Sequence, residues 1–211
     1  MRPVAGLALI VVFIAGCATP LLPSPAADIQ ATWQARQLEL RRVTAWQIQG
    51  RLALRAADQG WHASLRWDRD GEKVRLDIMG PLGRGHLQLV QDSHGAELRD
   101  ADQRVWRAEN PEDLLYRATG WALPLEGLNY WVVGLPMPES VSTQHLDGQG
   151  RLKRLVQSGW DIQFLEYTRF GAYDLPSILY ITRRNAHTED HAAGQEFLEV
   201  RLSIERWTFK H

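Results

Sequence analysis

Residues 46–68 read Trp46-Gln47-Ile48-Gln49-Gly50-Arg51-Leu52-Ala53-Leu54-Arg55, then Ala56-Ala57-Asp58-Gln59-Gly60, then Trp61-His62-Ala63-Ser64-Leu65-Arg66-Trp67-Asp68. In the first part Trp46, Ile48, Gly50, Leu52 and Leu54 alternate with Gln47, Gln49, Arg51, Ala53 and Arg55. A period of two belongs to a strand with one buried face. The second part sets Trp61, Ala63, Leu65 and Trp67 against His62, Ser64, Arg66 and Asp68. With the turn-forming Ala57-Asp58-Gln59-Gly60 between them, the two predict an antiparallel hairpin.

The pattern continues outward from this hairpin. Asp68-Arg69-Asp70-Gly71 turns the chain into a third alternation, Val74, Leu76 and Ile78 against Lys73, Arg75 and Asp77. Gly80-Pro81-Leu82-Gly83-Arg84-Gly85 interrupts before a fourth strand over 86–91, and shorter strands are expected at 96–99 and 104–108. Asn110-Pro111-Glu112-Asp113 then combines a cap, a proline for the first turn and acids at the positive end of a helix dipole. That helix runs to Gly120, and a second spans 125–133, bounded by Pro124 and Gly134-Leu135-Pro136. Strands return at 141–146, 151–157, 160–168, 177–183 and 196–208. Upstream of the hairpin, Asp28 heads a helix over 28–44 whose apolar positions include Ile29, Trp33, Leu40 and Val43. About ten or eleven strands in meander order with three helices predict a mainly β fold: an antiparallel, strongly curved sheet or barrel, since a flat sheet of that width strains against its twist.

Composition narrows the function. The chain has 211 residues, enough for one domain, with 24 basic and 25 acidic side chains and a formal net charge of −1. That balance leaves no electrostatic footprint for a phosphate backbone, so no nucleic-acid partner is expected. Nine Trp against five Phe and five Tyr is unusual, and so many indoles imply large apolar surfaces with polar edges. A single Cys rules out an intramolecular disulfide and a Cys-cluster metal site.

That Cys stands in a telling place. Met1-Arg2 is a short positive segment, Val4 to Ala15 is an uncharged apolar run too short to span a bilayer, and Ile14-Ala15-Gly16-Cys17 follows. The last four residues resemble the bacterial lipobox, in which the Cys thiol receives a diacylglycerol, the peptide is cut before it, and the new amino group is acylated. The resemblance implies a signal peptide over 1–16, a lipidated Cys17, and a Pro-rich tether over 17–27 leading to one domain over 28–211. Ala18, where an Asp would retain a lipoprotein in the inner membrane, implies delivery to the outer membrane.

Motifs for catalysis are missing. The sequence contains no Gly-x-Ser-x-Gly, no Gly-x-x-x-x-Gly-Lys-Ser/Thr and no Gly-x-Gly-x-x-Gly. His187 and His191 lie four apart, but Thr188-Glu189-Asp190 does not make His-Glu-x-x-His, and the segment reads as a polar loop. The expectation is a monomer that is not an enzyme and holds no metal or cofactor.

Several segments together are more specific. Gly50-Arg51-Leu52-Ala53-Leu54, Leu65-Arg66-Trp67, Gly80-Pro81-Leu82-Gly83, Leu123-Pro124-Leu125, Tyr130-Trp131-Val132-Val133-Gly134-Leu135-Pro136 and Gly159-Trp160-Asp161-Ile162 resemble, in colinear order, the LolB family of outer-membrane lipoprotein receptors. The resemblance implies an unclosed antiparallel barrel with a helical lid around a hydrophobic cavity. It also implies that the chain accepts acylated lipoproteins from the soluble periplasmic carrier LolA and inserts them into the outer membrane, anchored there and facing the periplasm. A lipoprotein binding another lipid, such as a phospholipid or a lipopolysaccharide intermediate, would share the same curved sheet.

Candidate cavity-wall residues are Trp46, Ile48, Leu52, Trp61, Leu65, Trp67, Leu76 and Ile78, with Val200, Leu202 and Ile204 opposite. The same stripes suit a filled core equally well. In the loop Pro81-Leu82-Gly83, proline stiffens the entry and glycine permits a tight return, so Leu82 is expected to project into solvent. A leucine folded back onto the sheet is the alternative. In LolB-like proteins the leucine of this loop is the one that engages the membrane.

Overall fold

The computed structural model describes residues 25–56, 59–81, 85–184 and 197–210. The predicted hairpin is there: β1 (Ala45–Ala56) pairs antiparallel with β2 (Gln59–Asp70), with Ile48 opposite Trp67 and Leu52 opposite Ala63. The meander continues through β3 (Lys73–Met79), β4 (Leu87–Asp92), β5 (Gly95–Arg99) and β6 (Val105–Ala108). Two helices follow, α2 (Pro111–Thr119) and α3 (Leu125–Trp131), and a second meander: β7 (Ser142–Leu146), β8 (Leu152–Gln157), β9 (Trp160–Phe170), β10 (Tyr173–Arg184) and β11 (Phe197–Phe209). All are neighbours in one eleven-stranded antiparallel sheet, in the order β6-β5-β4-β3-β2-β1-β11-β10-β9-β8-β7.

The two meanders are sewn together by the pairing of β1 with β11, and β6 and β7 are left as free edges. The sheet does not close. Both edges are short, and β7 carries the exposed, polar Thr143, Gln144 and His145, which discourages strand addition. One apolar band crosses the strands on the inner face. Trp67 faces Leu76, Leu76 faces Leu89, and Leu89 faces Leu98; in the other direction Leu52 faces Leu202, Leu202 faces Leu179, and Leu179 faces Phe164. All of these side chains are buried.

Two expectations at element boundaries need correction. The first helix, α1, spans Pro25–Leu40 instead of 28–44, so Asp28 lies inside it and its carbonyl accepts the Thr32 hydroxyl at 2.9 Å. Pro25 suits a first turn because it needs no N–H partner there. After Leu40 the chain tightens, with Val43 N–H bonded to the Leu40 carbonyl at 3.0 Å, so that Val43 is buried where the chain enters β1. The strand expected at 177–183 begins at Tyr173 and runs through Pro176. Its pairing with β9 shifts register between Pro176 and Ile178, so the missing N–H falls at a bulge and interrupts no regular ladder bond.

Gly50 sits at the seam. The β1–β11 register shifts between Gln49 and Gly50, and a Cβ added at Gly50 would lie 2.1 Å from the Ser203 carbonyl oxygen. Only glycine allows that approach. Gly50→Ala is therefore expected to destabilise the fold by about 1–3 kcal/mol in chemical denaturation. Gly60→Ala, on the adjacent strand with no atom within 4 Å of the added carbon, is expected to change little.

Candidate functional site: an apolar wall and the segment that covers it

Seven of the wall candidates, Leu52, Leu65, Trp67, Leu76, Ile78, Val200 and Leu202, meet around one apolar cavity. Three leucines from the α2–α3 region, Leu123, Leu125 and Leu128, complete its lining. The cavity is about 30 Å³, roughly the share of one water molecule in the liquid. The sheet wall is thus packed against the covering segment, and the space left is far too small for an acyl chain. Of the remaining candidates, Trp46, Ile48 and Ile204 are buried in the same core outside the cavity. Trp61 is half-buried and packs on Trp121 with ring centroids 5.3 Å apart.

The three leucines were not among the residues expected from sequence to form the wall. Leu123-Pro124-Leu125 and Leu128 carry no period of two, so strand periodicity does not point to them. The available signal was a short helix with an apolar face and no strand of its own to cover.

The covering segment is placed by its own chemistry first. Asn110 Oδ1 accepts the Glu112 N–H at 2.8 Å, Pro111 starts α2, and Gly120 ends it in the left-handed conformation, with φ of 75°. Leu114 and Leu115 are buried, and α2 packs on β4, β5 and β6. Glu112 then reaches α3, where it accepts the Glu126 N–H at 3.1 Å. Burial pushes the Glu112 carboxyl above the usual carboxylate range, aided by the charges of Glu126 and Asp113. Because its folded pKa lies above the unfolded one, its contribution to stability is fully present below the unfolded value and is lost as pH rises through the folded value.

The far end of the segment is held by a buried amide. Gln157, 1% exposed at the end of β8, accepts the Trp131 indole N–H at 3.0 Å and the Met137 N–H at 2.9 Å through Oε1. Its Nε2 donates to the carbonyls of Met137 at 2.9 Å and Ser140 at 3.2 Å. All of its polar capacity is directed at residues 131–140. On the opposite side of α3, Arg69 of β2 donates to the Asn129 carbonyl at 3.2 Å and lies 5.5 Å over the Tyr130 ring. Tryptophan pairs join the segment to the wall as well: Trp121 with Trp61 of β2, and Trp131 with Trp160 of β9 at 6.4 Å.

Near the β3–β4 connection Met79 and Pro81 are exposed, whereas Leu82 and Gly83 lie outside the described residues. So do Cys17 and the His187–His191 pair. Among the described residues no three His, Cys, Asp or Glu side chains come together in a way that could hold a metal, and no helix is long and apolar enough to cross a membrane.

The family model described as "Outer membrane lipoprotein LolB" matches residues 44–207. The chain is similar to a protein of Nitrosococcus oceani named outer-membrane lipoprotein LolB, at 36% identity over 93% of this chain and 92% of that one. A protein of the same name from Pseudomonas putida KT2440 is 36% identical over 83% and 80% of the two chains. Among solved structures, an outer membrane lipoprotein-sorting protein domain from Vibrio parahaemolyticus superposes with a TM-score of 0.51 at 10% identity, covering 86% of this chain and 92% of that one. That likeness concerns the fold alone.

The Gln157 clamp is directly testable. Gln157→Leu leaves the buried Trp131 N–H without its acceptor, at about 1–3 kcal/mol, and removes the partner of the half-buried Met137 N–H as well. The expected result is a loss of about 3 kcal/mol in urea unfolding, with hydrogen exchange at residues 131–140 accelerated more than in β1 or β11.

Proposed function

Since the chain belongs to the LolB family of outer-membrane lipoproteins, we propose that it accepts acylated lipoproteins from the soluble carrier LolA and passes them into the outer membrane. The observation that carries this reading is the inner wall of Leu52, Leu65, Trp67, Leu76, Ile78, Val200 and Leu202, covered by three leucines of a separate segment. A wall covered in that way can exchange one apolar partner for another. Exposing three leucines costs about 1.5–3 kcal/mol each. A long acyl chain gains about 0.8 kcal/mol per methylene buried, on the order of 10 kcal/mol in all. The chain is the better partner, so it displaces the leucines and α3 moves off the wall.

In this reading residues 1–16 are the export signal, Cys17 carries the acyl anchor, and the stretch between Cys17 and the start of α1 at Pro25 tethers the domain in the periplasm. Pro81-Leu82-Gly83 touches the bilayer, and the exposed Met79 and Pro81 beside Leu82 support an apolar tip at that place. With no nucleotide motif in the sequence, directionality comes from each acceptor binding the chains more favourably than the one before it.

Two outcomes are expected in a reconstituted system of LolA loaded with an acylated lipoprotein, this protein, and liposomes. Cys17→Ala leaves acceptance of cargo from LolA intact, because the anchor holds the receptor and not the client. Leu82→Glu accepts cargo at close to the wild-type level but fails to incorporate it into liposomes, because a charge at the loop tip opposes entry into the bilayer. A Leu82→Glu protein normal in both steps removes the loop from the mechanism. Recovery of free lipids in place of acylated proteins after purification from cells points to the lipid-binding alternative.

A further inference from the structure

Five buried polar side-chain atoms have no hydrogen-bond partner among the described residues, and three of them are the indole Nε1 atoms of Trp46, Trp67 and Trp207. The three rings form one cluster across β2, β1 and β11. Centroids lie 5.5 Å apart for Trp46 and Trp67, and 5.3 Å apart for Trp46 and Trp207. Exposure is 0%, 2% and 8% for Trp46, Trp67 and Trp207. A buried indole N–H normally finds an acceptor, and each one left unpaired costs about 1–3 kcal/mol. Phenylalanine at these positions would supply ring area without any donor.

The position of the cluster suggests why donors are kept. Trp67 is part of the cavity wall, and the other two indoles extend from it toward the end of the sheet where β1 begins. The remaining neighbours of Trp207 in the cluster are the rings of Phe170 and Phe209, which offer no conventional acceptor. Above this end lies α3. Arg69 is opposite Trp46 in register and bonds the Asn129 carbonyl, and Asn129 Oδ1 is itself buried and unpartnered.

We propose that the Trp46–Trp67–Trp207 cluster is the polar end of the acyl site, where indole N–H groups bond the carbonyl oxygens that join acyl chains to a client's modified cysteine. The inference rests on the acyl-binding reading given above. A cysteine bearing a diacylglycerol and an N-acyl group carries two ester carbonyls and one amide carbonyl. Those oxygens lose water when the chains enter an apolar wall, and each needs a donor. An indole N–H suits the task because it donates, does not ionise, and belongs to a ring that is otherwise apolar. A lysine or arginine would add a charge that keeps water in the cavity, and a carboxylate would repel the carbonyls.

The test compares two probes with equal chains: a cysteine peptide bearing a dipalmitoyl-glyceryl thioether, with ester linkages, and its dialkyl counterpart, with ether linkages. Affinities are measured on the purified protein by displacement of a fluorescent lipopeptide. The wild type is expected to prefer the ester probe by about three- to tenfold, the worth of one or two neutral hydrogen bonds. Trp67→Phe is expected to bring the ester-to-ether ratio close to one, and Trp106→Phe, in β6 and outside both the cluster and the cavity lining, to leave it unchanged. Because the ratio is taken within each variant, loss of packing cancels; Trp46→Phe serves if Trp67→Phe fails to fold. A wild-type ratio of one overturns the proposal and leaves neighbouring ring faces as the acceptors of these N–H groups. A ratio kept by Trp67→Phe, or by Trp46→Phe in its place, overturns it too. If neither probe binds the wild type, the acyl-binding reading itself fails, and the proposal with it.

Discussion

A one-sided sheet that curls without closing must find something to cover its apolar face. Here β6 and β7 never pair, and the apolar face of the central strands is covered by what the chain inserts between those two edges, together with Trp33 and Leu40 of α1. That insert is the α2–α3 segment, and most of the other features follow from its task. Its leucines fill the wall, its ends are pinned by Gln157 and Arg69, and two tryptophan pairs bind its flanks to β2 and β9.

The division between polar and apolar contacts in the segment has a mechanical meaning. The hydrogen bonds from Gln157 are directed and fully satisfied, so they fix residues 131–140 and resist displacement. The contacts of Leu123, Leu125 and Leu128 with the wall are non-directional, so hydrocarbon of another molecule can take their place on it. In the proposed exchange the part of the segment that leaves is therefore α3 and the chain before it, with the stretch after Trp131 as its fixed end. Arg69, Glu112 and the Trp61–Trp121 pair hold α3 and the chain before it, and each of these contacts is at least partly open to water.

Much of this was legible in the residue pattern. Alternation from Trp46 onward located the strands to within a few residues, because a half-buried strand writes its period of two directly into sequence. Asn110-Pro111 marked the start of α2, because capping is likewise a local matter. The errors also have local explanations. Asp28 reads as a cap but lies within α1, and the strand expected over 177–183 begins at Tyr173, with Pro176 at a bulge whose existence depends on β9. The role of Leu123, Leu125 and Leu128 is not legible locally, because it is defined by strands far away in the chain. The tryptophan excess is plain in the composition, but the pairing of wall with segment is not, since partners such as Trp131 and Trp160 belong to different elements.

By itself, then, the sequence determined the antiparallel meander, its inward and outward faces, and the LolB family to which the chain belongs, because strand period, turn chemistry and motif order are all carried by near neighbours. Only the tertiary structure decided that the inner wall is a covered surface with a residual cavity of about 30 Å³, and which residues cover it. Whether an apolar stripe is filled or open depends on the volume brought to it by segments distant in sequence, and that volume exists only once the two meanders have joined at Gly50 and closed over α3.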